Sequence, residues 1–168
     1  MSETAANAFA GAWKDGWYVV PLHVMFRDLD AFGHVNNAVF FTYFEWGRTQ
    51  LWFDITEGKR ALDIGFIVAH AQCDFKLQIG LEPIEIATRI GEMRNSSLDF
   101  VCEIRKNNGN DVAATGKVVV VLYDWARRSK IPISDELRRK VAEHAAAGTR
   151  PDSSRSGETP LPGDRRTS

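Results

Sequence analysis

Long apolar runs and cysteines are both scarce in this sequence of 168 residues. No stretch approaches the ~20 apolar residues that a membrane-spanning helix needs, and the first residues lack the basic region and apolar core of a secretory signal. The two cysteines, Cys73 and Cys102, are too few for a disulfide framework. No pair of Cys or His residues has the spacing of zinc ligands. We therefore expect a cytoplasmic protein that has no membrane partner and binds no metal.

An excess of one charge is also missing. The chain carries 21 Lys and Arg residues against 22 Asp and Glu residues, which gives a formal net charge of −1. Without a basic excess no broad electric field attracts nucleic acid, so we expect no nucleic-acid partner. The G-x-S-x-G turn of serine hydrolases is absent, and so is a glycine-rich phosphate loop before a helix.

Composition divides the chain into one domain and two ends. Residues 148–168 are rich in Gly, Pro, Ser and charged residues, with a single leucine and no aromatic residue. Such a segment buries too little apolar surface to offset the entropy of ordering it, so we predict a disordered tail. Residues 1–14 are predicted to be flexible because chain ends usually are. The folded domain is therefore predicted to span residues 15–147.

A helical period occurs between residues 37 and 55. Apolar residues recur there at intervals of three and four, as one helix face requires, and Asn36 can cap the helix start. Phe41, Trp46 and Trp52 extend the apolar stripe over most of the circumference, which is typical of a buried helix. The stripe consists of Val39, Phe40, Tyr43, Phe44, Gly47, Leu51 and Ile55.

About five strands are predicted around this helix. Residues 17–27 are β-branched and aromatic, and Pro21 favours an edge position because proline cannot donate a ladder hydrogen bond. Residues 66–77 alternate, which predicts one covered face and one mostly polar face. Short turns between the strands predict an antiparallel sheet that curls around the helix, an α+β fold. The later strands are expected near residues 84–90, 98–105 and 112–124, with a short helix over residues 134–147.

The densest polar chemistry lies between the first strand and the helix. The stretch FRDLDAFGHVNNAVFF, residues 26–41, places two aspartates, a glycine, a histidine and two asparagines there. Asp, Gly and Asn form turns in their own right, but a helix start also presents unpaired N–H groups with partial positive charge. A carboxylate beside such N–H groups can act on a polarised carbonyl. The residues alone are compatible with a turn and with an active site.

The segment RDLDAFGHVNNAVFFTYFEWGR, residues 27–48, resembles the signature of hot-dog fold thioesterases of the 4-hydroxybenzoyl-CoA thioesterase and long-chain acyl-CoA thioesterase type. The similarity extends over about residues 17–142, including the order of strand, helix, four strands and short final helix. It implies a sheet wrapped around a central helix and hydrolysis of an acyl-CoA to a free acid. It implies no cofactor, since coenzyme A is part of the substrate.

The resemblance also implies roles for individual residues. The family's catalytic carboxylate, three residues before the motif glycine, falls on Asp30. The backbone N–H that receives the thioester oxygen falls on Asn37. Gly33 supplies a φ angle that other residues resist. His34 orders the loop or acts as a base, and Asn36 caps the helix or contacts the substrate.

Other residues near the motif have a second interpretation. Some hot-dog thioesterases carry their acid on the helix, which makes Glu45 the second candidate. Its spacing from Arg48 also fits an ion pair. Asp28 is expected to be structural, as a partner of Arg27 or Arg48. The coenzyme A phosphates have several candidate ligands, although such charges are usually solvated: Lys76, Arg89, Arg94, Arg105, Arg127, Arg128 and Lys130.

Two alternatives to an acyl-CoA thioesterase stay open, namely a thioesterase for acyl-carrier protein and a non-catalytic acyl-thioester-binding protein. A hydratase of the same fold is disfavoured, because its signature couples Asp and His through an Asn-Pro step, whereas AFG separates Asp30 from His34. The run VVVVLY, residues 118–123, is apolar on both faces, which predicts a homodimer or homotetramer. The resemblance implies that the active site lies where two subunits join.

Overall fold

The structure is a computed structural model and describes residues 11–58 and 64–147. A 3-10 turn at Phe26–Asp28 precedes the first helix. The strands and helices are β1 (Ala12–Lys14), β2 (Trp17–His23), α1 (Asn37–Thr56), β3 (Phe66–Phe75), β4 (Pro83–Met93), β5 (Ser97–Lys106), β6 (Asp111–Asp124), β7 (Ser129–Lys130) and α2 (Asp135–Ala147).

The strands form one antiparallel sheet in the order β1-β2-β4-β5-β6-β3, and β7 pairs with β6. The chain passes from β2 through α1 to β3 at the far edge, so that β3 pairs only with β6 among the described strands. The predicted α+β class and antiparallel sheet are confirmed. No helix in the described part of the chain is long and apolar enough to cross a membrane.

Helix α1 packs against the inner face of the sheet at very short range. A Cβ atom on Gly47 would lie 2.5 Å from Thr88 Oγ1, and one on Gly116 would lie 2.3 Å from the Phe44 ring. Phe44, Leu51 and the inward side chains of β4, β5 and β6 are fully buried around this contact. The sheet therefore wraps the helix as the hot-dog resemblance implies.

The predicted burial of α1 is correct on the sheet side only. Trp52 is buried, whereas Phe41 is 39% exposed and Trp46 is 41% exposed. The prediction that apolar residues bury most of the circumference is therefore wrong for the single chain. The sheet covers only the side of the helix that it contacts, and an apolar residue on the other side meets solvent.

Strand β3 also differs from its prediction. Almost all of its residues from Ile67 to Phe75 are exposed on both faces, whereas the alternation predicts one covered face. The reason is position: β3 is the edge strand, and α1 lies mainly over the central strands. Period-two alternation predicts which residues share a face, but it does not predict whether the fold covers that face.

The predictions for the two chain ends have different outcomes. Residues 12–14, predicted to be flexible, instead form β1, because they pair with β2 and Trp13 Nε1 donates a hydrogen bond to Asp54 Oδ2 at 2.9 Å. The rest of the predicted flexible N-terminus, residues 1–10, lies outside the described residues. The predicted tail, residues 148–168, lies outside them as well. Helix α2 begins as expected, with Ser134 Oγ accepting the N–H of Leu137.

Candidate active site

The segment between β2 and α1 closes on itself through backbone hydrogen bonds, and we name residues 28–36 the Asp30 loop. At its base, Asn36 N–H donates to the Asp28 carbonyl at 2.9 Å. Nearer its tip, Asp30 N–H donates to the His34 carbonyl at 2.8 Å, and Gly33 N–H donates to the Asp30 carbonyl at 3.1 Å. Gly33 has a φ of +78°, a left-handed conformation that glycine adopts without strain, so the predicted backbone conformation is confirmed.

The carboxylate of Asp30 has one oxygen tied to the loop and one oxygen free. Oδ1 accepts the N–H of Phe32 at 2.8 Å and the N–H of His34 at 3.3 Å. Within residues 11–58 and 64–147, Oδ2 has no hydrogen bond. The turn-forming habit of Asp and a reactive role are therefore compatible, because they use different oxygens.

Helix α1 begins beside this carboxylate with one unpaired N–H group. Asn36 caps the helix as predicted, since its Oδ1 accepts the N–H of Ala38 at 2.9 Å. The N–H of Val39 donates to the Asn36 carbonyl. The N–H of Asn37 has no acceptor among the described residues. A helix N-terminus concentrates partial positive charge, so this N–H is a donor for an incoming anionic or polarised oxygen.

Asp30 and Asn37, the first residue of α1, line one open cavity of about 680 Å³. Its second wall is the segment after β3, which is fixed to the Asp30 loop because Val35 N–H donates to the Ile79 carbonyl at 2.8 Å. The Phe75 ring packs edge-on against Phe40 at 5.0 Å between ring centroids. The lining residues are Asp30, Phe32, His34, Val35, Asn37, Phe40, Phe75, Lys76, Leu77, Gln78 and Ile79.

The structure brings together three of the predicted site residues. Asp30, His34 and Asn37 line the cavity, whereas Gly33 and Asn36 shape the loop without lining it. The backbone of His34 orders the loop, and its imidazole forms no hydrogen bond in the described part of the chain. This arrangement leaves the imidazole available to a substrate.

Glu45 lies outside the cavity, on an exposed part of α1. Its carboxylate is 3.9 Å from Arg48 Nη2, which confirms the predicted ion pair. Burial lowers the pKa of Arg48, and the nearby Glu45 partly offsets that effect. Within a single chain, Glu45 therefore belongs to an ion pair rather than to the cavity with Asp30.

Only one of the basic candidates lies at the cavity, namely Lys76. Arg94 pairs with Asp99 at 2.7 Å, and Arg105 pairs with Glu103 at 2.7 Å. The guanidinium of Arg89 lies over the Trp17 ring, 4.5 Å from its centroid. These contacts indicate structural roles on the sheet, and they leave Lys76 as the cation that a bound anion in the cavity would meet.

Neither cysteine is available as a nucleophile. Burial raises the pKa of Cys102 to about 12 and that of Cys73 to about 11, so both remain thiols at neutral pH. Cys102 is buried, and Cys73 is half-buried. No group of three or more His, Cys, Asp or Glu side chains in the described ranges could hold a metal ion.

Sequence reasoning missed one contact of the Asp30 loop. The Tyr43 hydroxyl donates a hydrogen bond to Asp28 Oδ2 at 2.9 Å. Asp28 also lies 3.9 Å from Arg27 Nε, one of its two expected partners, while Arg48 pairs with Glu45 instead. The helical period places Tyr43 only in the apolar stripe of α1. The available signal was its hydroxyl, because a buried tyrosine usually finds a hydrogen-bond partner.

Comparison with known proteins identifies the family. The family model of the thioesterase-like superfamily matches residues 24–141. The uncharacterized protein YsmA of Bacillus subtilis (strain 168) is 30% identical over 134 residues, which cover 77% of this chain and 88% of that protein. Most of the chain, including the Asp30 loop and α1, is therefore shared with these relatives.

Solved thioesterase structures have the same fold. A thioesterase from Thermus thermophilus, solved with coenzyme A and zinc, has a TM-score of 0.66 and 31% identity over 73% of this chain and 95% of its own. A predicted thioesterase from Bacillus stearothermophilus has a TM-score of 0.70 and 25% identity over 76% of this chain and 96% of its own. The chain therefore belongs to the thioesterase-like superfamily, as a thioester hydrolase with the hot-dog fold.

Proposed function

We propose that the substrate is an acyl-CoA, that Asp30 is the catalytic carboxylate and that the Asn37 N–H binds the thioester oxygen. The observation that supports this proposal most directly is that one cavity is lined by both Asp30, which has a carboxylate oxygen without a hydrogen bond, and Asn37, which has an unpaired helix-start N–H among the described residues. The Thermus thermophilus relative was solved with coenzyme A, which supports coenzyme A as the thiol part of the substrate. Lys76 is the candidate contact for a phosphate of that thiol.

Two chemical routes fit the pair of groups. In the first, Asp30 takes a proton from water, the water oxygen attacks the carbonyl carbon, and Asn37 N–H stabilises the oxyanion. Collapse of the intermediate breaks the C–S bond, and the proton on Asp30 passes to the leaving sulfur. In the second, the Asp30 carboxylate attacks, the thiol leaves, and water hydrolyses the resulting anhydride.

The first experiment measures thiol release from acyl-CoAs of several chain lengths, one aromatic acyl-CoA and one acyl-carrier protein. We expect turnover of at least one acyl-CoA. Tight binding of acyl-CoA without thiol release would favour the non-catalytic binding protein, and release from the carrier protein alone would favour the other thioesterase. A single turnover in ¹⁸O-labelled water then tests the second route: label in the Asp30 carboxylate requires an anhydride that water opens at the Asp30 carbon, whereas the first route places the label only in the released acid.

The second experiment is the substitution Asp30→Asn. Asparagine keeps the size of aspartate and can still accept the Phe32 and His34 N–H groups, but it is neither a base nor a carboxylate nucleophile. We expect kcat to fall by about 10²–10⁴-fold with little change in KM. Glu45→Gln is the matched control. If Asp30→Asn keeps more than about a tenth of kcat while Glu45→Gln loses activity, the catalytic role belongs to Glu45.

We also propose that a second copy of the chain covers β3. An edge strand presents unpaired backbone groups, and here it also presents apolar side chains on both faces. Ile67 is 36% exposed, Val68 47%, Phe75 50% and Leu77 46%. Phe75 and Leu77 also line the cavity, so a subunit on this edge would close the cavity on its open side.

A further inference from the structure

We propose that Tyr43 and Asp28 are positioning residues, whose hydrogen bond sets the place of Asp30 relative to the Asn37 N–H. This inference rests on the proposed function, because it assigns a purpose to the geometry of that site. Neither side chain lines the cavity. Both act through the loop that carries Asp30.

The contact between the two residues is well shielded. Tyr43 is 4% exposed, and the Asp28 side chain is 15% exposed. Asp28 Oδ2 accepts two hydrogen bonds at 2.9 Å, one from the Tyr43 hydroxyl and one from the Met25 N–H. Burial and the bond to Asp28 both raise the pKa of Tyr43, so its hydroxyl is a neutral donor at neutral pH.

This side-chain bond joins the Asp28 end of the Asp30 loop to the body of α1. The Asp28 carbonyl accepts the N–H of Asn36, the residue before the oxyanion donor. In the other direction along the chain, Asp28 is two residues from Asp30. The other described bonds from the Asp30 loop to α1 and to the segment after β3 lie at the opposite end of the loop, at Val35 and Asn36, so the Tyr43 bond is the one that holds the Asp28 end on the helix.

Loss of the Tyr43 hydroxyl should therefore loosen the Asp28 end of the loop, which leads to Asp30, while the Val35 and Asn36 end stays attached. The carboxylate of Asp30 would then move relative to the helix N–H. A misplacement of about 1 Å in reacting groups can lower a rate by roughly 10²-fold. Because the cavity walls stay in place, substrate binding should change much less than the chemical step.

The test begins with Tyr43→Phe. We expect kcat to fall roughly 10- to 100-fold while KM stays within about twofold. Tyr18→Phe is the matched control, because it removes the hydroxyl of an equally buried tyrosine, 5% exposed, outside the cavity. Its kcat should stay within about twofold of wild type. A Tyr43→Phe protein that keeps wild-type kcat would overturn the proposal.

Substitution of Asp28 tests the same bond from the acceptor side. Both of its bonds end on one oxygen, so Asp28→Asn can keep them and should keep most of kcat. Asp28→Ala should lose as much as Tyr43→Phe does. In an Asp30→Asn background, Tyr43→Phe should have no further effect, since it acts through Asp30. Additive losses in that background would assign Tyr43 a purely structural role.

Amide hydrogen exchange keeps the inference separate from the proposed function. If the wild-type chain hydrolyses no thioester, the proposed function fails, but the exchange of the Asn36 N–H still reports whether the Asp28 end of the loop is held in place, because this N–H donates to the Asp28 carbonyl. We expect this amide to exchange at least about tenfold faster in Tyr43→Phe than in Tyr18→Phe. Equal exchange in the two variants would refute the positioning role, whatever the activity.

Discussion

Asp30 owes its orientation to main-chain groups, because the N–H groups of Phe32 and His34 hold one of its oxygens. A main-chain donor does not rotate away as a side chain can, and it costs no rotamer entropy to fix. The geometry of Asp30 therefore depends on the backbone path of the loop. That path depends in turn on Gly33, the residue at the tip with positive φ.

We predict that Gly33→Ala lowers both stability and activity. A Cβ atom at this position would meet nothing within 4 Å, so the cost comes only from the left-handed φ of +78°. That cost is about 1–2 kcal/mol for a residue with a Cβ atom. Thermal unfolding measures the first effect, and kcat at a temperature well below the transition measures the second.

Gly80→Ala is the control for this prediction. A Cβ atom on Gly80 also meets nothing within 4 Å, and its φ lies outside the left-handed range. We expect an unfolding temperature equal to or slightly above wild type, because alanine restricts the unfolded chain. If the two variants behaved alike, the conformational argument for Gly33 would be wrong.

The contact between α1 and the sheet depends on small residues at two points. We predict that Gly47→Ala lowers the free energy of unfolding by about 1–3 kcal/mol, because its Cβ atom would lie 2.5 Å from Thr88 Oγ1 and 2.6 Å from Ile86 Cγ2. Urea unfolding measures the change. Gly65→Ala, where the new Cβ atom meets nothing, is the control. An unchanged midpoint for Gly47→Ala would mean that α1 can move away from the sheet without cost.

We predict that Asp99 on β5 makes the free energy of unfolding depend on pH. The hydrogen bond from Arg94 holds the pKa of Asp99 below its ordinary value of 3.8. A depressed carboxylate pKa stabilises the folded state above the unfolded-state pKa, and this stabilisation is lost as the pH falls through the folded-state pKa. We expect Asp99→Asn to be less stable than wild type by about 1 kcal/mol at neutral pH, since Arg94 is partly exposed.

The same comparison at low pH completes this test. Below pH 3.8, protonation of Asp99 should reduce the difference between the two proteins until it disappears. Urea unfolding over a series of pH values measures it. A difference that stays constant down to acid pH would show that the loss in Asp99→Asn comes from packing rather than from charge.

At the scale of the whole molecule, we predict an assembly of at least twice the 18.8 kDa chain mass in sedimentation at micromolar concentration. The substitutions Ile67→Lys and Val68→Lys should dissociate this assembly, because charged side chains on an edge strand oppose pairing with another edge. Activity should fall with the assembly if the second copy closes the cavity. Ile131→Lys is the control, since Ile131 is as exposed as Ile67, at 36%, but follows β7 and is not part of the edge strand β3. A monomeric, fully active wild-type chain would contradict the proposal.

Patterns between near neighbours in sequence were sufficient to predict much of the fold. The helix, its Asn36 cap and the main strands were predictable because hydrophobic period and capping chemistry act between near neighbours in sequence. The exposure of β3 was not predictable in this way, since alternation is the same in an edge strand as in a covered one. Strand β1 was missed because three residues carry too little periodicity.

Within the candidate site, the residues that are contiguous in sequence could be predicted without the structure. Asp30, Gly33, His34, Asn36 and Asn37 lie within eight positions, so loop closure and the helix start bring them together without help from the rest of the fold. Three features could not be predicted from sequence and depend on how the chain packs: the second wall of the cavity, the position of Glu45 outside the cavity and the bond from Tyr43 to Asp28. Those contacts join residues that are distant along the chain, and their formation depends on how the sheet and helix pack.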